Sequence, residues 1–431
     1  MKSKNRREFM ATVSTGIAAS AVATPRALAN SDRQSMSVAL IGCGGRGRSV
    51  CRVMAGMPGV KVTWLCDANK DRLATTAREF SVSEKRAVSD MRTVYDDEAV
   101  DAVLVATPDH WHAPAAILAC NAGKHVYVEK PCSHNIREGR LLVEAARRHN
   151  CVVQHGTQVR STPMMIRATE LLRDGIIGDV LVAKAWNIQR RSSIGHQTPS
   201  NPPRELDYDL WTGPVPLLPY QTNRVMKGWH WWYHFGTGDM GNDGIHDLEY
   251  ARWGLGVKGH PIHVAATGGK YFFDDDQEFP DTQHVSFEFS ETGSQKKSLI
   301  YEQRLWSTNY PHNTDSGVEF YGTKGQMYLS RRGKVEVLGE RNRRVDVDLK
   351  TQPQDTRSHV ADFFDAIRNS RRPNADIELG HKTATLCHLG NIATRLQRTL
   401  KFDGENERIN GDKEADALVQ REYREHWGTP A

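Results

Sequence analysis

One stretch decides the fold of the first third of the chain: Val38-Ala-Leu-Ile-Gly42-Cys43-Gly44-Gly45-Arg46-Gly47. Its apolar start predicts a buried strand, and the residues after it, up to Met54, predict a helix. Between them stands G-x-G-x-x-G, in which Gly42 permits a tight turn and Gly44 lets the backbone approach a pyrophosphate. Gly47 lets the helix pack closely on the strand, and the helix N-terminus offers free N–H groups to phosphates. The stretch therefore predicts a dinucleotide-binding domain in which the whole loop, Cys43, Gly45 and Arg46 included, contacts the cofactor.

A second predicted strand supports this interpretation. Lys61 to Cys66 is followed by Asp67, twenty residues after Gly47, where such domains place an acid on the adenosine ribose. A carboxylate there repels a 2′-phosphate and favours NAD. Basic side chains close by in sequence, such as Lys70 and Arg48, oppose that preference, so NADP stays open.

Further strands bring polar side chains to the same edge of the predicted sheet. An apolar run from Asp101 to Ala106 ends in Thr107-Pro108-Asp109-His110-Trp111-His112, and His125 to Val128 ends in Glu129-Lys130-Pro131. Ligands of parallel sheets bind outside the carboxyl ends of the strands. The residues predicted to contact the cofactor are therefore Thr107, Pro108, His110, His112, Glu129, Lys130 and, after a further strand, Gln158.

Taken together, these motifs resemble the Gfo/Idh/MocA family, named after glucose–fructose oxidoreductase and inositol dehydrogenase. The resemblance rests on the glycine loop, on Thr107-Pro108 with His112, and above all on Glu129-Lys130-Pro131. It extends to Gly228–Phe235, Gly238–His246, Gly317–Gln326 and a closing helix with His381. The later motifs resemble a subgroup common among exported bacterial members.

The resemblance implies two domains, a Rossmann domain over 36–155 and a substrate-binding and oligomerisation domain over 156–431. The second is expected to be α+β, with an open, mainly antiparallel sheet. Runs such as 180–186, 284–289 and 298–302 alternate apolar and polar residues, as a half-exposed antiparallel sheet does. Two amphipathic helices within 359–400 are expected to pack back towards the first domain.

Three residues are the candidates for catalysis. Oxidation of an alcohol on a nicotinamide requires a group that binds or deprotonates the reacting oxygen, and the resemblance gives this role to Lys130. His246 is the second candidate because histidine exchanges protons near neutrality, and Asp243, three residues earlier, shares its predicted helix face. Family members often have an aspartate where this chain has Asn242, so Asp243 is either a shifted replacement, a helix cap or a hydroxyl ligand.

The substrate is predicted to be a sugar. Aromatic side chains pack on the faces of sugar rings, and imidazole and guanidinium groups bond to sugar hydroxyls. The aromatic and histidine side chains from Trp229 to His234 therefore indicate a sugar site. The predicted substrate-binding residues are Arg160, Trp229, His230, Asn242 and His381. Gln158 and Arg160 follow one strand and could reach either cofactor or substrate, and His381 could equally be a histidine packed within its helix. His230 and His234 have the spacing of a metal pair but lack the accompanying glutamate, so no metal is predicted.

The first 29 residues predict an export signal. Arg6-Arg7 precedes an Ala-rich apolar stretch that ends in Ala27-Leu-Ala29, which is typical of a twin-arginine signal and of a periplasmic protein. This segment holds five basic side chains and one acid, so it carries +4 of the net charge of +5. The nearly neutral remainder gives no reason to expect nucleic acid, and no permanent membrane span is predicted. Seven cysteines without paired spacing are predicted to be reduced.

Three functions fit these features. The first is an NAD(P)-dependent oxidoreductase acting on a sugar, sugar alcohol or glycoside, with a tightly bound cofactor because free NAD is scarce outside the cytoplasm. The second is an NAD-dependent glycosidase working by transient oxidation and elimination. The third is a non-catalytic exported sugar-binding protein, which the intact glycine loop and Lys130 argue against. A homodimer or homotetramer is expected from the family resemblance.

Overall fold

The computed structural model describes residues 35–225, 228–290 and 295–424. The predicted export signal lies outside these ranges. The first sheet has six parallel strands in the order β3-β2-β1-β4-β5-β6. The strands are β1 Met36–Ile41, β2 Val60–Cys66, β3 Ala87–Val88, β4 Ala102–Val105, β5 His125–Val128 and β6 Val153–His155. The helices between them are α1 Gly45–Ala55, α2 Lys70–Phe80, α3 Met91–Tyr95, α4 Asp109–Asn121 and α5 Ile136–Arg148. This is the predicted Rossmann arrangement, and the fold class is confirmed.

The second sheet has nine strands, in the order β13-β12-β11-β7-β10-β9-β8-β14-β15, and all its pairs are antiparallel except β7 with β10. The strands are β7 Val180–Asn187, β8 His263–Gly269, β9 Thr282–Ser290, β10 Lys296–Arg304, β11 Ser316–Gly322, β12 Gly325–Ser330, β13 Lys334–Gly339, β14 Leu400–Asp403 and β15 Arg408–Asn410. The helices are α6 Pro163–Arg173, α7 Tyr208–Thr212, α8 Thr222–Val225, α9 Ile245–Leu255, α10 Thr356–Arg368, α11 Ile377–Leu396 and α12 Lys413–Ala417. Among the described residues no helix is both long and apolar enough to cross a membrane.

Helix α9 lies against the inner face of the second sheet. The packing is close because glycines stand at the contacts: a Cβ on Gly254 would meet the Phe320 ring at 2.5 Å, and one on Gly244 would meet the Tyr301 hydroxyl at 2.1 Å. Along β9 buried and exposed side chains alternate, which is the half-exposed pattern predicted from the sequence.

Helix α10 packs on the first domain. Val360, Phe363 and Phe364 share a buried apolar cluster with β1 and α1 residues such as Leu40 and Val50. This contact joins the C-terminal part of the chain to the sheet that carries the glycine loop, so the two domains share part of their core.

A long insertion after β7 crosses the carboxyl edge of the first sheet. We name residues 203–225 the strap. Near β2 it is held by the backbone bonds Lys70 N–H to Glu205 O (2.8 Å) and Asp207 N–H to Ala68 O (2.9 Å). Near β4 the indole N–H of Trp111 donates to the carbonyl oxygens of Leu210 and Trp211, both at 3.1 Å. The strap is therefore fixed to both halves of the edge where the glycine loop lies.

Candidate active site

The glycine loop has the shape that its sequence predicts. Gly42 has φ +96°, and a Cβ there would lie 2.5 Å from the Ala106 carbonyl oxygen. A Cβ on Gly47 would lie 2.1 Å from the Gly42 carbonyl oxygen, so only glycine lets α1 start this close to β1. By contrast, a Cβ on Gly44 or Gly45 would meet nothing within 4 Å. Gly47 thus serves packing, while Gly44 and Gly45 leave room for a ligand.

Asp67 ties the end of β2 to this loop. Its carboxylate accepts hydrogen bonds from the backbone N–H groups of Cys43 (2.7 Å) and Asn69 (2.8 Å). Burial raises the pKa of this carboxyl, and the two backbone bonds act in the opposite direction. Asp67 lines the same cavity as the loop, so it stands where the sequence places an acid for the ribose.

The cavity has a volume of about 690 Å³ and follows the carboxyl edge of the sheet. One end is formed by the ends of β2 and β3, including Asp67 and Ser89. The other is formed by the ends of β4 and β5, where Thr107, Lys130 and His230 line it. The volume lies within the range of cofactor and small-molecule sites.

His112 links the segments that follow β4 and β5. Its buried ring bonds to the Pro131 carbonyl oxygen through Nδ1 (2.6 Å) and to the Thr107 carbonyl oxygen through Nε2 (2.8 Å). Next to it, the buried Glu129 accepts from Nε of Arg46 at 2.8 Å. Burial opposes ionisation of Glu129, yet the positive charges of Arg46 and Lys130 lower the pKa of this carboxyl. His112, Glu129 and Arg46 all line the cavity.

Among the described residues, Lys130 has hydrogen bonds to one partner residue, Asn242. Its Nζ donates to the backbone oxygen of Asn242 and to the Asn242 side-chain oxygen, the latter at 3.1 Å. The Asn242 amide in turn donates to Asp239 (3.0 Å), which fixes its orientation. A π-helical turn over Met240–Gly244 brings Asn242 to the cavity wall. Because an ammonium group has three N–H donors, one remains for a ligand.

Behind Asn242 lies a chain of alternating charges. Arg191 bonds to both Asp239 (2.8 Å) and Asp243, and Arg331 donates to Asp243 at 3.3 Å. Burial disfavours the Asp243 carboxylate, but Arg331, Lys130 and Arg191 hold its pKa well below the usual range. Asp243 is therefore ionised and is held by arginines behind the cavity wall.

Two histidines stand near Lys130. His230 lines the cavity and packs on Trp229 with ring centroids 3.5 Å apart. Burial and the charge of Lys130 lower its pKa to about 3. His246 is only 4% exposed and lies close to Lys130 and Asp243, and burial together with Arg331 and Lys130 lowers its pKa well below the ordinary value. Nδ1 of each ring is buried and has no hydrogen-bond partner among the described residues. Both rings are neutral at physiological pH.

Besides Gly47, which serves packing, four predicted ligand residues do not line this cavity, and the structure corrects their placement. His110 is fully buried, and its Nε2 bonds to the Trp211 carbonyl oxygen at 2.9 Å, so it holds the strap. Gln158 donates to the hydroxyl of Tyr127 (3.2 Å) and to the Gly156 carbonyl oxygen (2.8 Å) beneath the sheet. Both are structural because their polar groups are already engaged.

The other two lie in the second domain. Arg160 is paired with the buried Glu249 and lines a different cavity. His381 bonds to Glu407 at 2.7 Å, and His260 is close enough to complete a group with metal-ligand spacing. Arg140 donates to both oxygens of Glu407. We interpret this group as an ion-pair network because a cation already holds the carboxylate.

Sequence reasoning missed Arg191 and Arg331. Both come from segments that approach Asp243 only after the second sheet has formed, and their positions follow no local motif. Asp239 lies in the same motif as Asn242 and His246, but it is not among the site residues predicted from the sequence.

Residues of both domains line the cavity described above. This arrangement defines the class of protein: a dinucleotide-binding protein whose site is completed by a second, mainly antiparallel domain. The chain belongs to the Gfo/Idh/MocA oxidoreductase family. Residues 36–157 match the model of its NAD-binding Rossmann fold, and residues 182–429 match the model of its C-terminal alpha/beta domain. The family assignment and the NAD-binding domain predicted from the sequence are thereby confirmed.

Individual relatives match over shorter segments. A levoglucosan dehydrogenase of Pseudarthrobacter phenanthrenivorans is 31% identical over 166 residues, 36% of this chain and 42% of that protein. A glycosyl hydrolase family 109 protein of Saccharopolyspora erythraea is 32% identical over 162 residues, 34% of each chain. The chain thus matches less than half the length of either relative. The structure of a levoglucosan dehydrogenase in complex with NADH superposes with a TM-score of 0.66 at 21% identity, covering 85% of this chain and 99% of that one, and shows the shared fold.

The residues at the cavity fit a nicotinamide dinucleotide. Gly44 and Gly45 leave space beside the N-terminus of α1 for a pyrophosphate. Asp67 faces the cavity at the ribose end. At the other end the hydroxyl of Thr107 and Oε2 of Glu129 are buried without partners among the described residues, as expected of groups that a ligand satisfies.

Proposed function

We propose that this chain is an NAD(P)-dependent oxidoreductase that oxidises or reduces a hydroxyl-bearing carbon of a sugar, sugar alcohol or glycoside. The position and hydrogen bonding of Lys130 support this proposal most directly. Lys130 stands at the end of the cavity opposite Asp67, with two N–H donors on Asn242 and one left over. When bound, the nicotinamide supplies the hydride acceptor or donor.

Lys130 is proposed to hold the reacting oxygen. The N–H group that Asn242 leaves free donates to the substrate hydroxyl and strengthens its bond as negative charge develops on oxygen. Asn242 is a neutral partner, so it orients Lys130 without neutralising its charge. The charge chain through Asp239 and Arg191 keeps Asn242 in place.

His246 is proposed to exchange the hydroxyl proton. Its ring is neutral, and a neutral imidazole has one nitrogen with a free lone pair, which can accept a proton in the neutral range. The ionised Asp243 stabilises the imidazolium that then forms. His230 and Trp229 line the cavity and are proposed to bind a second hydroxyl and a face of the sugar ring.

The cofactor is proposed to stay bound between turnovers. The strap bonds to the chain after β2, near the adenosine end, and to α4, near the nicotinamide end. Its Leu206 and Trp211 belong to an apolar cluster with Trp232 and Phe235. Release of a bound dinucleotide past the strap requires these contacts to open.

The experiment is a comparison of Lys130→Met and His246→Asn with the unchanged protein on a panel of aldoses, alditols and glycosides. Loss of a positioned proton donor or base lowers rates about 100- to 10,000-fold, so we expect kcat to fall at least 100-fold in both variants with nucleotide content unchanged. Lys401→Met and His263→Asn, at positions away from the cavity, serve as controls. A Lys130→Met variant with more than a third of the original kcat would refute the assignment.

An NAD-dependent glycosidase is the second candidate, favoured by the relative named as a glycosyl hydrolase. That route removes and restores a carbon-bound hydrogen by elimination and addition. It therefore predicts cleavage of an aryl glycoside without net NADH and uptake of solvent deuterium at carbon. Dehydrogenation predicts NADH formation with no deuterium in recovered substrate.

We also propose that residues 1–29 direct folded export to the periplasm through the twin-arginine machinery, which would carry a bound cofactor with the protein. A homodimer or homotetramer is proposed from the exposed face of the second sheet. Substitution of both Arg6 and Arg7 by lysine should leave the protein in the cytoplasm, which cell fractionation measures. Analytical sedimentation of the purified protein tests the proposed oligomeric state.

A further inference from the structure

A second cavity of about 600 Å³ lies where α6, α9 and α11 meet. We name it the basic cavity. Its basic lining residues are Arg160, Arg173, Arg252, Lys258, Lys297 and Lys382, and the acid among its described lining residues is Asp179. The basic cavity shares no lining residue with the cavity along the first sheet, where the dinucleotide is proposed to bind, so the two are separate.

Arg252 is the most informative residue of this cavity. It is only 2% exposed, and its guanidinium donates to Thr383 Oγ1 (3.2 Å) and to the Leu379 carbonyl oxygen (3.3 Å). Burial lowers its pKa to about 10, so it is charged at neutral pH. A guanidinium group has five N–H donors, so Arg252 can donate more hydrogen bonds than these two.

The charges of Glu249 and Glu378 partly offset the effect of burial on the pKa of Arg252, but neither carboxylate forms an ion pair with it in the described residues. Within the described ranges, no carboxylate oxygen lies within the 4.0 Å of an ion pair with Arg252. Glu249, on the same helix, is already bonded to Arg160 and to Thr383. A buried charge that lacks a direct ion pair is costly, and Arg252 therefore favours a negatively charged ligand in the cavity.

The helix ends that surround the cavity balance only part of the positive charge. Lys297 Nζ donates to the Leu255 carbonyl oxygen at 2.7 Å, and Lys382 Nζ donates to that of Lys258 at 3.1 Å. Lys382 Nζ also lies 3.8 Å from a carboxylate oxygen of Glu378, which is shared with Arg140. A helix C-terminus carries about half an elementary charge, which is less than the several charges present. Arg160 stacks 4.7 Å above the Trp253 ring, which fixes its guanidinium at the cavity wall.

We propose that the basic cavity binds a multivalent oxyanion, such as a phosphate or sulfate group or the carboxylates of an acidic sugar chain. Guanidinium and ammonium groups from three helices and a strand surround the space, and charge-assisted hydrogen bonds to such anions are about twice as strong as neutral ones. The anion would join α6, α9 and α11 and would accept hydrogen bonds from the remaining N–H donors of Arg252. This inference is independent of the reaction proposed for the dinucleotide cleft.

The test is isothermal titration of the purified full-length protein with inorganic phosphate and, separately, with trigalacturonate. Potassium chloride at equal ionic strength is the control for screening. We expect saturable binding of at least one anion, with roughly tenfold weaker affinity in the Arg173→Gln/Lys382→Gln double variant. Both substituted side chains lie partly in solvent, so the variant should fold, and Lys85→Gln with Lys401→Gln is the matched control.

Arg252→Gln, checked for native circular dichroism, should weaken binding further. Tighter binding of trigalacturonate than of phosphate would identify an acidic sugar as the ligand class, and the reverse order would identify a small inorganic anion or phosphoester. Heats equal to those of potassium chloride would overturn the proposal. So would an affinity that the Arg173→Gln/Lys382→Gln substitutions leave unchanged.

Discussion

Replacement of Asp247 by asparagine should make the protein more stable, and increasingly so as the pH rises. Asp247 is fully buried on α9; one carboxylate oxygen accepts from the Tyr250 hydroxyl at 2.8 Å, and the other has no partner in the described part of the chain. Burial raises the pKa of Asp247 from 3.8 to about 7, although Arg331, whose Nε is 3.7 Å away, opposes the shift.

The sign follows from the protons bound in each state. Between pH 3.8 and pH 7 the folded chain holds the Asp247 proton and the unfolded chain does not, so unfolding releases a proton and stability falls as the pH rises. Above pH 7 both states are ionised and the loss is complete. Each pKa unit corresponds to about 1.4 kcal/mol, so this group costs about 3 kcal/mol more at pH 8 than at pH 5. Asparagine has no proton to lose and avoids the cost.

The assay is urea unfolding followed by circular dichroism at pH 5 and pH 8. The free energy of unfolding of Asp247→Asn, relative to the unchanged protein, should rise by about 3 kcal/mol between the two pH values. Asp97→Asn is the control. Backbone and indole hydrogen bonds from Ala99 and Trp64 lower the Asp97 pKa, so its ionisation lies below pH 5 and its effect should not vary with pH. An Asp247→Asn difference that is the same at both pH values would refute the reasoning.

Two further predictions concern the first domain, and a third concerns the cysteines of both domains. Gly47→Ala should cost about 3 kcal/mol of stability, because its Cβ would meet a backbone oxygen at 2.1 Å, whereas Gly45→Ala should change stability by less than about 1 kcal/mol; urea unfolding distinguishes them. Asp67→Ala should reduce the preference for NAD over NADP roughly tenfold in equilibrium titrations, since it removes the acid at the ribose end; an unchanged ratio would contradict that role. All seven cysteines are free and buried, so a thiol reagent should label none within minutes in the native protein and all of them in urea.

Local pattern was sufficient to predict the nucleotide half of the site. The glycine loop, Asp67 and Glu129-Lys130 all follow parallel strands directly. Because those strands end at one edge, residues adjacent to them in sequence must also meet in space. The same rule gave a wrong position for His110, which lies in the first turn of α4 and bonds to the strap instead of lining the cavity.

The second domain was harder to predict because its contacts join distant segments. Arg191 reaches Asp243 only when the insertion after β7 folds over the π-helical turn, and Arg331 reaches it from the end of β12. His381 was placed at the site from its helix alone, but the hairpin of β14 and β15 brings Glu407 to it. Periodicity shows which helix face is buried and leaves the buried partner undetermined.

The most direct test of the account is the nucleotide content of the protein purified without added cofactor. Denaturation releases any bound nucleotide, which is identified by chromatography and by the absorbance of reduced nicotinamide. The account predicts about one NAD(H) per chain that does not exchange with added nucleotide. A protein that is empty on purification and binds NAD only weakly would contradict it.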